Sequence, residues 1–138
     1  MSSLPRLDPQ GALQKTVYDV LKAAFPLITI TDTPNTGLKF PYFRIGESYC
    51  VPNDTKDIPG DYVTETIHYF SGGPGNKDAK EKISAVKAAF STITPPAIAA
   101  PFAILNVTPE YSRILEEQDP EGPAKHAVIP LIFNIQQI

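Results

Sequence analysis

Apolar positions recur first with a helical period. Leu13, Val17, Val20, Leu21 and Ala24 fall three or four residues apart or side by side, which gathers them on one helix face. Asp8 can cap that helix, Pro9 suits its first position and Pro26 ends it, so the pattern predicts a helix reaching about Ala24. Leu27 to Thr31 is short, apolar and β-branched and predicts a first strand. Asp32-Thr33-Pro34-Asn35-Thr36-Gly37 is turn-forming sequence. From Phe40 to Glu47 the period becomes two: Phe43 and Ile45 point one way, Tyr42 and Arg44 the other. Ser48 to Gly60 holds Pro52 and Pro59 without a useful period, and reads as a long excursion between paired strands, the kind of loop that is functional or poorly ordered. Alternation resumes from Asp61 to Ser71, where Val63, Glu65, Ile67 and Tyr69 oppose Tyr62, Thr64, Thr66, His68 and Phe70. Neither face is purely apolar, which predicts contact on both sides of the sheet.

Beyond Gly72-Gly73-Pro74-Gly75, Asn76 can cap a second helix running to Phe90. Ala79, Ile83, Val86 and Phe90 form its apolar stripe, while Lys77, Asp78, Lys80, Glu81, Lys82 and Lys87 take solvated positions. Such a helix packs across one face of a sheet. Pro95 and Pro96 stop any continuation, and Ala97 to Ala100 is a small apolar connector. Phe102 to Thr108 predicts a strand that Tyr111 to Leu115 continues past a bulge. Glu116 to Lys125, with Asp119-Pro120-Glu121-Gly122-Pro123, is turn material. His126 to Ile135 predicts the last strand, in which Pro130 is tolerable only at an edge or a bulge; a free edge near His126 is therefore expected. The predicted class is α+β: a small mixed, mainly antiparallel sheet packed against two helices, with long loops. Residues 1–138 read as one domain, with 1–8 a flexible lead.

Composition narrows the function. The 15 prolines among 138 residues cut the chain into short elements, which disfavours a helical bundle. A formal net charge of −3 lacks the basic excess of a nucleic-acid binder. Cys50 is the sole cysteine, so no internal disulfide forms. With neither a signal-type start nor an apolar run near the ~20 residues that span a bilayer, the chain reads as made inside the cell, with no membrane partner.

Few residues suggest chemistry. The glycine-rich break lacks the lysine and hydroxyl of a phosphate-binding loop, which leaves an ordinary turn before a helix. Cys50 with His68 could form a thiolate–imidazole pair, the basis of a small thiol hydrolase, but no third orienting group is evident and a packed or exposed thiol is the ordinary role. His68 and His126 could meet across the sheet; without a cysteine or paired carboxylates they make a poor metal site, so no metal or cofactor is expected. Between Thr108 and Lys125, Glu110, Glu116, Glu117, Asp119 and Glu121 outnumber Arg113 and Lys125. That is either an acidic surface for a basic partner or a solvated loop kept soluble by its charges. Tryptophan is absent and no aromatic platform accompanies these acids, against a glycosidase-like pair.

An ordered set of segments carries a resemblance. It comprises Leu13, Val17 and Tyr18 on the first helix, the strand from Phe40 to Glu47, and His68, Phe70 and Ser71 at the end of the next. The Lys/Ala-rich helix from Lys77 to Phe90 and a last strand opening with His126 complete it. Over about residues 12–135 the chain resembles the tail-completion proteins (tail-to-head joining or tail terminator proteins) of long-tailed bacteriophages. The proline-bearing connector from Thr94 to Pro101 and Pro130 depart from the pattern. The resemblance implies a non-enzymatic virion protein of the tail or neck, made in the host bacterial cytoplasm. It would cap the tail tube, form a ring of six, and bind the tail tube protein and the head-to-tail connector or head-completion protein. A head-closure or minor capsid role is the nearest alternative. The expected contacts are Tyr49, Val51, Asp54 and Asp57 in the 48–60 segment, Glu116, Glu117 and Asp119 in the acidic tip, and His126 at the predicted edge.

Overall fold

The computed structural model describes residues 5–33, 38–73, 75–90, 95–119 and 122–138. Its elements are α1 (Gln10–Ala24), β1 (Thr29–Thr31), β2 (Tyr42–Pro52), β3 (Gly60–Gly72), α2 (Lys77–Ala89), β4 (Phe102–Pro109), β5 (Arg113–Asp119) and β6 (Gly122–Gln137). The strands form one sheet in the order β1-β2-β3-β6-β4, with β5 also paired to β6. β1 runs parallel to β2 and every other pairing is antiparallel. The expected mixed, mainly antiparallel α+β class is what the chain adopts. Pro34 to Gly37, Pro74, Thr94, Pro120 and Glu121, which belong to predicted turns and connectors, lie outside the described residues.

Both helices cover one face of the sheet. Leu13, Val17 and Leu21 of α1 are fully buried, as are Ala79 and Val86 of α2, so the predicted stripes are the packed ones; Ala24 alone of the first stripe stays exposed. They meet Phe43 and Ile45 of β2, Val63, Ile67 and Tyr69 of β3, and Ala127, Ile129, Leu131, Phe133 and Ile135 of β6. The Asp8 carboxylate accepts the Gln10 N–H at 2.9 Å, starting α1 as expected, whereas Asn76 stands at the start of α2 without a side-chain capping bond. The Tyr69 hydroxyl donates to Asp78 at 2.6 Å, and Lys82 donates to the same carboxylate at 2.9 Å, tying the first turn of α2 to β3.

Three sequence expectations need correction. β2 does not stop at Glu47: a bulge at Gly46 and Glu47 shifts its register, and the strand then continues to Pro52. The long excursion shrinks to residues 53–59, closed by Asn53 N–H to Gly60 O at 2.8 Å and Thr55 N–H to Ile58 O at 3.0 Å. The supposed tip from Glu116 is β-strand as far as Asp119, held opposite an early start of β6. Nor is β6 an edge. β3 lines one side of it, while β4 and β5 share the other, separated by a break at residues 110–112 that is wider than the expected bulge and takes in Tyr111 and Ser112. Pro130 fits because its carbonyl, accepting from Glu110 N–H at 3.0 Å, faces that break. Its missing N–H faces the same gap, so no ladder bond is lost to it.

The true edges are elsewhere. Among the described residues, β1 covers β2 from Tyr42 to Arg44, the outer side of β2 has no strand partner beyond that point, and no strand lies outside β4 or β5. At the end of the sheet where the β2–β3 hairpin turns, Arg6 donates to Gly60 O at 3.4 Å and to Asp61 at 3.1 Å and also pairs with Asp54, while Leu7 N–H donates to Gln137 at 3.0 Å. Among the described residues, no helix is long and apolar enough to cross a membrane.

Candidate functional site

The sheet face away from the helices carries the polar strand positions. Register places Tyr42 beside Phe70, Arg44 beside His68, Phe70 beside His126, and Leu115 beside His126, so all six side chains share that face. Phe40, Tyr42 and Phe70 stack in a row, Phe70 lies 4.2 Å from the His126 ring, and the Arg44 guanidinium sits 5.6 Å over Phe70. These contacts bury groups that no helix covers: His68 is 5% and His126 7% exposed.

The two imidazoles do meet across the strands, and a carboxylate ends each side of the pair. Glu47 Oε1 lies 2.8 Å from His68 Nε2, His68 Nδ1 lies 2.6 Å from His126 Nε2, and His126 Nδ1 lies 2.6 Å from Glu117 Oε1. Burial is the main cause that pushes His68 below the usual imidazole value, with Glu47 opposing. The hydrogen bond from His68 holds Glu47 below the usual carboxylate range. A groove of about 310 Å³ opens over this chain, with Glu47, Tyr49, Thr66, Glu110, Tyr111 and Arg113 among its walls.

The bulge aims Glu47 at His68, and Gly46 makes room: a Cβ there would stand 2.5 Å from His68 Nε2. Gly46→Ala is therefore expected to push the imidazole off Glu47 and lower stability by about 1–3 kcal/mol, the usual cost of overpacking. Thermal unfolding checks this, and an unchanged midpoint would mean that the ring yields freely.

The other predicted contact residues fall into two sets. Tyr49 and Val51 lie on the outer stretch of β2, 54% and 50% exposed, and Tyr62, opposite Val51, is 41% exposed, making one apolar patch beside an open edge. Asp54 accepts the Gly60 N–H at 3.0 Å and pairs with Arg6, and these two contacts, the backbone one foremost, keep its carboxyl below the usual range; Asp57 is exposed in the same hairpin tip. In the second set, Glu116 pairs with Lys125 and Glu117 with His126, so those carboxylates are answered within the chain and His126 is interior rather than an edge residue. Asp119 ends β5 opposite Gly122. Sequence reasoning did not place Glu47 beside His68; the Gly-Glu step inside an alternating strand was the available signal.

Cys50 and His68 do not form a pair. Cys50 sits opposite Val63, on the helix side of the sheet, and His68 lies on the other face. Burial pushes the thiol up to about 11, the reverse of activation. Among the described residues, no group of three or more His, Cys, Asp or Glu is placed to hold a metal ion.

A sheet covered by helices on one face, with an apolar patch beside one edge, defines a small α+β module. The chain belongs to the family of the tail completion protein gp17, whose model matches residues 13–131. Tail completion protein gp17 of Bacillus phage SPP1 is 27% identical over 128 residues, covering 90% of this chain and 92% of that protein. A chain in the virion of a native gene transfer agent particle has the same fold, with a TM-score of 0.74 at 17% identity, over 95% of this chain and 99% of that one. The protein is thus a structural component of the phage virion, located in its tail or neck and associated with other tail or head components.

Proposed function

We propose that the protein caps the end of the tail tube as a closed ring of six and joins the tail to the head connector, without catalysing a reaction. The observation that supports this most is the pair of open edges on opposite sides of one sheet, the outer stretch of β2 and the outer sides of β4 and β5. Unlike surfaces on opposite sides of a subunit suit a head-to-tail contact that closes on itself. Tyr49, Val51 and Tyr62 supply apolar area at one of them. In this reading the β2–β3 hairpin tip with Asp54 and Asp57, and the end of β5 with Asp119, reach the tail tube protein and the connector. The whole chain acts as one domain.

Electron microscopy of lysates from a phage lacking this gene tests the proposal. Filled heads beside unattached tails are expected, and overlong tails would mark length termination as well as joining. Leaking heads would move the role to head closure. Restoring the gene with Cys50→Ser should give wild-type particle yield, and a loss of yield would reopen the thiol reading.

A further inference from the structure

We propose that Glu47, His68, His126 and Glu117 form a proton-loaded latch that clamps β5 onto β6 and opens on acidification. Four groups make three contacts in series, at 2.8, 2.6 and 2.6 Å, and each contact needs one proton between its heavy atoms. Two neutral imidazoles bring only two. The closed chain therefore holds a third, so that one positive charge is shared between two buried rings and two flanking carboxylates. Removing that proton sets two lone pairs against each other. Adding a fourth sets two N–H groups against each other, and one contact must break.

Burial, and after it the neighbouring ring, disfavour charge on His68. Other charged groups near the pair are Arg44 on β2, and Glu110 and Arg113 along the β5 side of the groove; Tyr49 and Tyr111 add phenols. Lys125 and Glu116 pair at the adjoining register position. With the latch open, two imidazoles of ordinary behaviour bind three protons in total near pH ~6.5, more below it and fewer above. Opening then takes up protons below that pH and releases them above it, so the latch holds best near neutrality and weakens on both sides. What it holds is specific: among the described residues, β5 pairs with β6 alone, and Glu117 is on β5.

The test is nitrogen-resolved NMR of the two histidines in the full chain, followed by amide exchange at two pH values. At pH ~6.5 one ring should carry one N–H and the other two, and each further titration should move both rings together. Below the acid step, exchange at residues 114–118 should rise roughly tenfold relative to residues 103–107 of β4, the scale of one pH unit of linkage. Glu117→Gln is a near-isosteric control: its amide N–H can donate to His126 Nδ1, so the third imidazole proton should vanish at pH ~6.5 while the fold is kept. Two singly protonated rings titrating independently, or equal exchange changes in β4 and β5, would overturn the latch.

Discussion

Replacing Phe133 with alanine is expected to remove about 3–5 kcal/mol of stability, the range for deleting a large buried aromatic. Phe133 is fully buried in the second half of β6, between Val63 of β3 and Val107 of β4, and meets the Phe90 ring edge-on at 5.8 Å. It is a point where α2, β3 and β4 all converge on one side chain. The neighbours that surround the ring sit on two strands fixed by backbone ladders and at the end of α2, so they collapse poorly into the space it leaves. A domain of this size has only about 5–15 kcal/mol in total. Urea unfolding should therefore show a much lower midpoint with an unchanged slope. A loss under about 1 kcal/mol would mean that the core relaxes around the gap.

The second large effect concerns Glu65. It lies on the helix-facing side of β3, 2% exposed, opposite Ser48 and Leu131, and its Oε2 has no hydrogen-bond partner among the described residues. Burial raises its carboxyl from 4.5 to about 7, with the bond from Ser48 opposing. A folded-state value above the unfolded one means that the folded protein holds the proton more tightly. Its contribution to stability is then fully present below pH 4.5 and lost as pH rises through about 7. The difference across that window is on the order of 3 kcal/mol. Glu65→Met should flatten this part of the pH dependence and make the protein more stable than wild type at pH 8 by about 2 kcal/mol. The readout is the wild-type minus variant difference, because the depressed His68 has the opposite sign: its contribution is lost as pH falls. A difference that does not change between pH 5 and 8 would remove Glu65 from the account.

Much of the fold was legible, and the failures share a cause. The helices were visible because a period near 3.6 persists through both, and β3 because alternation runs unbroken from Tyr62 to Phe70. β2 was cut short because the extra residue at Gly46 and Glu47 resets the alternation; restarted there, Ser48 and Cys50 face the helices while Tyr49 and Val51 face away. The acids of β5 resembled a soluble tip because their partners, Lys125 and His126, are supplied by the next strand and not by neighbours in sequence. Pro130 suggested an edge because the break it faces lies in a different strand. For the site, the meeting of the two histidines could be anticipated from the order of strands. The carboxylates at its ends could not, since the bulge decides where Glu47 points and the β5 register decides where Glu117 does.

The place of β6 has a consequence for how the protein comes into being. This strand is central to the sheet, yet it is made after all its partners, and Gly60 to Gly72 must wait for residues up to Gln136 before that side of its ladder is satisfied. A nascent chain carrying β2, β3 and α2 has a hairpin and a helix with no wall to close their shared apolar face. Folding is therefore held back until β6 leaves the ribosome, and then proceeds through pairings that span from 52 residues (Gly72 to Ala124) to 76 residues (Gly60 to Gln136), which makes it slow. Until that moment the unfinished β3 edge is the part of the molecule most exposed to mispairing with other copies.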